Sequence, residues 1–225
     1  MKKIFAMMMA ALMVCSISNA QTTNQTIKER KAMAKLTKTE LNQRASKAAR
    51  KEARALKKQG WQVAPGQLPL DKQLDKSYTM YYEYEENGLP KYIVGEAMSP
   101  GATYDAAKMQ ALELAKTNLA GLIQTEVTAL TESTVANDQM TQEQATSIAR
   151  TVQASKNLIV QRLGRSVPVI ECYRVLPNKT VEVRVSLAYN AKMAIEQAKE
   201  IVKAQLEAKG EDLHEQLDAM WEQYK

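Results

Sequence analysis

The chain of 225 residues contains two cysteines, one histidine and one phenylalanine. Each shortage removes a class of function. Cys15 lies in an apolar leader, so a chain starting at Gln21 keeps only Cys172 and closes no intramolecular disulfide. A structural zinc site draws four ligands from Cys and His, and the sequence lacks that set, so neither a metal nor another cofactor is expected. A Ser-His-Asp or Cys-His arrangement would have to use His214, the single histidine. The one Phe also falls in the leader. The core is therefore expected from Ala, Leu, Ile, Val and Met, with nine Tyr at its margins. No run approaches the roughly 20 apolar residues that a bilayer crossing needs, and no low-complexity linker interrupts the chain.

The leader is the most informative segment. Lys2 and Lys3 precede an uncharged stretch to Ile17, and Ser18-Asn19-Ala20 places small residues at the −3 and −1 positions of a cut after Ala20. That is the layout of a secretory signal over residues 1–20, and it predicts export of the chain from Gln21. Lipid attachment needs a small residue before the acceptor cysteine. Met13 and Val14 precede Cys15, so an ordinary cysteine in a removed leader is expected rather than an anchor. Cys172 lies in the strand-like run Val169-Ile170-Glu171-Cys172-Tyr173 and is expected to be buried.

Residues 21–60 form a basic segment read as one long helix. From 25 to 58 it holds 12 Lys or Arg against Glu29, Glu40 and Glu52. Its seven-residue seam (Ile27, Ala34, Leu41, Ala48, Ala55) is thin, which predicts a surface helix or one that meets a partner. Arg44, Lys47, Arg50, Lys51, Arg54, Lys57 and Lys58 are its candidate contact residues. Residues 61–77 read as an extended connector with apolar residues that dock on the domain. Residues 78–85 alternate with a period of two, Asn87-Gly88 supplies turn chemistry, and 91–98 return, which predicts a β-hairpin. A helix is expected over 103–133 and another over 141–155, opened by Thr141 as N-cap with Glu143 or Gln144 as its partner. A second hairpin is expected from 167–176 and 180–189 around Pro177-Asn178-Lys179, then a helix over 191–209. After Gly210, an acidic amphipathic helix closes the chain within 201–225, presenting Leu213, Leu217, Met220, Trp221 and Tyr224. The sum is an α+β fold: a four-stranded antiparallel sheet from two hairpins, helices on one face, and long helices at both termini.

The segments Tyr92-Ile93-Val94-Gly95-Glu96-Ala97, Tyr104-Asp105-Ala106-Ala107-Lys108 and Ala120-Gly121-Leu122-Ile123, with Asn118-Leu119-Ala120 and the closing hairpin, carry a resemblance. Over about residues 78–200 the chain resembles the Lpp-twenty lipoprotein-like family of bacterial envelope proteins. The resemblance implies a Gram-negative envelope location, in the periplasm or at the outer membrane for an exported chain, and no catalytic residues.

For the basic helix the sequence leaves three readings: pairing with the acidic C-terminal segment of the same or a neighbouring copy, a solvated face, or an anionic envelope component. Export and the lack of interleaved aromatics exclude nucleic acid. Tyr82 and Tyr84, with Tyr78, Tyr81 and Tyr92, are candidates for an oligomer contact or for stacking on a glycan. Glu83 and Glu85 are neighbours on one solvated strand face and do not form the carboxylate pair of a glycosidase. The expected function is an exported, non-enzymatic envelope protein with a structural or interaction role, self-assembly included. The alternative is a binding module for an anionic or glycan ligand through the basic helix or the Tyr hairpin.

Overall fold

Two glycines set how closely the long central helix approaches the sheet. The computed structural model describes residues 44–137, 139–163, 166–210 and 213–222, and the chain divides into two units, Met1–Arg44 and Ala45–Lys225. The leader with Cys15, the basic positions before Arg44, and Glu211, Asp212 and Tyr224 lie outside the described residues, as does the His214 side chain.

In the second unit, helices α1 (Lys47–Lys58) and α2 (Leu70–Tyr81) precede strand β1 (Tyr92–Gly101). The long helix α3 (Tyr104–Ala136) follows, then α4 (Gln142–Ala154) and α5 (Lys156–Arg162). The hairpin β2 (Val167–Val175) and β3 (Val181–Asn190) leads into α6 (Ala191–Ala208) and α7 (His214–Glu222). The three strands form one antiparallel sheet in the order β1-β3-β2.

Odd-numbered residues of β1 face α3. Ile93, Gly95 and Ser99 are buried there, while Glu96, Met98 and Pro100 on the other side are exposed. A Cβ at Gly95 would stand 2.6 Å from the Ala115 carbonyl oxygen and 2.7 Å from the Leu119 Cβ. One at Gly101 would meet the Ala107 nitrogen at 2.7 Å. The absent side chains are what let the helix lie against the strand. Asn118, in the middle of α3, donates from Nδ2 to the Glu96 carbonyl at 2.7 Å and so occupies part of the sheet's outer edge.

Helix α3 serves two layers. Its N-terminal half lays Ala107, Ala111 and Ala115 on Val183, Val185 and Leu187 of β3. Its C-terminal half places Leu119, Ile123 and Val127 in a helical core with Ile148, Ile195, Val202, Leu217, Met220 and Trp221. Buried positions recur every four residues from Ala107 to Thr131. Because the α-helix turns every 3.6 residues, each such step advances the buried line by about 40°, and the six steps by about 240°. The apolar stripe therefore winds around the helix as its neighbours change from strands to helices. Thr131 and Thr134 are tolerated inside because each hydroxyl donates 2.8 Å to the carbonyl four residues back.

The expected four-stranded sheet is overturned. Residues 78–81 belong to helix α2, and the strand that was to pair with β1 does not exist among the described residues. The reason lies in the spacing of Leu70, Leu74 and Tyr78, which sets one helical face against the sheet. The alternation from Tyr78 to Glu85 put tyrosines on both faces, so it separated no apolar side from a polar one. The Asn87-Gly88 turn does form, with Gly88 at φ 80°, but it closes only the small loop that bridges Tyr84 to Pro90.

Helices cover both faces of the sheet rather than one. Ile170 and Cys172 of β2 point away from α3 and pack with Ala45, Ala49, Ala53 and Leu56 around α1, and with Trp61, Leu70 and Leu74. The expected extended connector over 61–77 is helical from Leu70 onward, within α2; its first part docks through buried Trp61, and Gln62 bridges to Tyr173 along the outer edge of β2. The β2–β3 hairpin forms where the sequence alternation placed it, with Lys179 at φ 66° in its turn. Thr141 and Gln144 make the expected capping box at the start of α4. Helix α5 went unforeseen.

Candidate interaction surface

Helix α1 is docked, and its register decides what it shows to solvent. Ser46 caps it by accepting from the Ala49 nitrogen at 3.2 Å. Ala45, Ala49, Ala53 and Leu56 are buried, whereas Ala48 and Ala55 of the expected seam are exposed. The seam thus runs one residue away from the seven-residue repeat, because alanines at four-residue spacing fit the close contact with α2 and β2. Opposite that face, Lys47, Lys51, Arg54 and Lys58 are exposed at spacings of four, three and four. This is one side of a helix, about 16 Å long at 1.5 Å per residue.

The remaining candidates divide. Lys57 is exposed beside this stripe, and Arg44 is exposed at the end of the preceding unit. Arg50 is drawn back, its Nε donating to the Ala45 carbonyl at 3.0 Å. Among the described residues, Lys47, Lys51, Arg54, Lys57 and Lys58 make no ion pair, and the one acid of α1, Glu52, is engaged by the Tyr78 hydroxyl of α2. That hydrogen bond, with burial adding to it, pushes the Tyr78 hydroxyl up to about 12.

Charge within Ala45–Lys225 is balanced in number and uneven in place. The unit holds 23 Lys and Arg against 23 Asp and Glu, but six of the bases and only Glu52 among the acids lie in α1. Helix α7 buries Leu217, Met220 and Trp221 in the core shared with α3 and α6, and its Asp218 pairs with Lys199 of α6. Helix α1 belongs to a separate buried cluster.

Tyr82 and Tyr84 stand on the turn after α2, not on a strand face. Tyr81, Tyr82 and Tyr84 are 59%, 68% and 59% exposed, the largest aromatic surface among the described residues. Tyr81 and Tyr82 meet edge to face with centroids 5.1 Å apart. The turn is tied down: Glu85 donates its N–H to the Leu89 carbonyl at 2.8 Å, Lys91 donates its N–H to the Glu83 carbonyl at 2.9 Å, and the Lys91 ammonium pairs with Glu83 at 2.5 Å. Glu85 and Glu86, the next residues in the chain after Tyr84, are exposed.

Two polar clusters that sequence reasoning missed lie on the sheet. Glu171 of β2 is buried on the α3 side, where the Tyr104 hydroxyl donates to it at 2.5 Å and the Lys108 ammonium pairs with it at 2.6 Å. Burial, then that hydrogen bond to Glu171, pushes the Tyr104 hydroxyl far above the ordinary tyrosine range. On the opposite face Arg184 pairs with Glu96 at 2.6 Å, next to Cys172, whose thiol burial pushes up to about 11. The thiol is thus held protonated and unreactive. In both clusters the carboxylate is spent on a cation within its own fold. The signal was a charged residue inside an apolar alternation (Glu171, Arg184), which sequence alone cannot match to its partner.

A cleft of about 840 Å³ opens elsewhere, lined by Thr141, Glu143, Gln144, Thr146, Ser147, Arg150, Lys209 and Leu213. Several of its hydrogen-bonding groups are engaged: Thr141 and Gln144 in the capping box, Thr146 with the Gln142 carbonyl at 2.7 Å, and Lys209 with the Thr151 hydroxyl at 2.8 Å. No group of three or more His, Cys, Asp or Glu side chains is placed to hold a metal ion among the described residues. No family model matches the chain, nor does any curated protein or solved structure.

Proposed function

We propose that the protein is an exported, non-enzymatic component of the bacterial cell envelope that works by association through the basic face of α1, with self-assembly as its principal mode. The observation that carries this reading is the stripe Lys47, Lys51, Arg54, Lys58, held outward by a docked helix and left without an acidic partner among the described residues. Long side chains kept apart by 4–3–4 spacing on a fixed backbone form a preorganised cationic surface, and complementary potentials speed and orient docking. The leader supports the compartment, and the resemblance to the Lpp-twenty lipoprotein-like family, through β1, α3 and the closing hairpin, supports the same address.

A second reading rests on the same stripe: an anionic lipid surface, to which each Lys or Arg near the headgroups contributes about 1 kcal/mol. Light scattering of the chain from Gln21, in parallel with cosedimentation on phosphatidylglycerol vesicles, separates the two. Low-salt oligomers that are lost in a Lys47→Glu/Lys51→Glu/Arg54→Glu/Lys58→Glu variant uphold self-assembly. A strict monomer whose vesicle binding depends on the stripe transfers the function to the membrane. A monomer that ignores both overturns the reading.

A further inference from the structure

Two exposed surfaces of this chain have opposite chemistry, and no ion pair joins them among the described residues. The stripe of α1 offers four cations along about 16 Å. The 81–86 turn offers the exposed Tyr82 and Tyr84 rings, followed directly in the chain by the exposed Glu85 and Glu86. We propose that each is the other's ligand across a two-fold axis: α1 of one copy seats on the Tyr-Glu turn of a second copy, and the contact is made twice. The proposal rests on the self-assembly reading above and names its interface.

The chemistry of the turn selects the partner. Exposed tyrosine faces attract Lys and Arg, with about 0.5–1 kcal/mol at exposed sites, and carboxylates alongside add charge pairing. The same carboxylates repel a phosphate-rich surface, so the tyrosines of this turn are not placed to enter an anionic membrane. A cationic helix fits both features. Within one chain the two surfaces stay apart, since no ion pair joins α1 to Glu83, Glu85 or Glu86 among the described residues, and Glu83 is taken by Lys91. The stripe and the turn also sit on adjoining elements. The start of α1 is tied to α2 by the Ser46 N–H donating to Asp75 at 3.0 Å, and Tyr78, one helical turn before Tyr82, holds Glu52. A two-fold axis beside this helix pair therefore brings stripe to turn and turn to stripe at once, the self-complementary pattern of an isologous dimer. The turn's backbone hydrogen bonds mean that little ordering is required on docking.

A charge exchange tests the interface. One variant carries Glu85→Lys/Glu86→Lys, leaving both surfaces basic. The other carries Lys47→Glu/Lys51→Glu/Arg54→Glu/Lys58→Glu, leaving both acidic. Sedimentation velocity at low salt should show at least a tenfold weaker dimer for either variant alone, and a dimer restored when the two are mixed, because both contacts are then opposite in sign. Tyr82→Ala/Tyr84→Ala should weaken the parent dimer with its charges intact. Circular dichroism of each variant checks that the fold persists. If the Glu85/Glu86 variant dimerises like the parent while the four-site stripe variant does not, the stripe meets a different acidic surface: the interface proposed here falls and the self-assembly reading stands. If the parent is monomeric at every concentration but binds phosphatidylglycerol vesicles through the stripe, both give way to a membrane role.

Discussion

Gly95 and Gly121 make opposite predictions from the same residue type. A Cβ at Gly95 would intrude on the Ala115 carbonyl and Leu119 of α3, so Gly95→Ala should cost about 1–3 kcal/mol through overpacking. At Gly121, inside α3, the added carbon would meet only the Lys156 ammonium at 3.7 Å, a flexible end. Gly121→Ala should instead stabilise by about 0.5–1 kcal/mol, from the helical preference of alanine. Urea melts of the two variants check both signs. Tyr78 supplies a pH dependence. Its hydroxyl ionises ordinarily at 10.0 and is raised to about 12, first by the Glu52 hydrogen bond. The fold thus favours the protonated form, and this contribution is intact below pH 10 and lost as pH rises from 10 to about 12. The stability gap between parent and Tyr78→Phe should therefore be steady near pH 8 and close over that window, as measured by melts at successive pH values.

At the scale of elements, α1 shows how a helix can be legible while its orientation is not. Its composition announced a basic surface helix, and Ala48 and Ala55 looked like its seam. The buried residues are Ala49 and Ala53, because small side chains at four-residue spacing match the neighbouring α2 and β2. Ala49→Glu should unfold or strongly destabilise the unit, since an unpaired carboxylate cannot be buried there. Ala48→Glu should be tolerated within about 0.5 kcal/mol. Thermal melts of the pair decide the register. The β2–β3 hairpin was readable because Val181, Val183, Val185 and Leu187 alternate with polar residues around an unmistakable turn. Helix α2 was not, because tyrosine suits both a strand and a helix flank, and only the spacing from Leu70 through Leu74 to Tyr78 would have revealed it. For α3, the winding stripe spreads apolar residues around the helix, so its length could be read but not its change of partner from sheet to helices.

At the scale of the molecule, the folded unit is neutral in count and polarised in space. A basic α1 stands against an acidic excess in the remainder. The positive residues of this surface were visible in the sequence, as were Tyr82 and Tyr84. Their placement was not, because it depends on which side of α1 is buried and on the helix that replaced the expected strand. Nor could the sequence show that α7 is joined to α6 through Lys199 and Asp218. Exposed charge acting over a few ångströms should respond to salt, since the screening length falls from about 10 Å at 0.1 M to about 3 Å at 1 M. The measurement that bears most directly on this account is static light scattering of the chain from Gln21 across a salt titration at fixed protein concentration. The account predicts a dimer mass at low salt that falls to the monomer mass as salt approaches 1 M. A mass that stays at the monomer value from the lowest salt upward would contradict it.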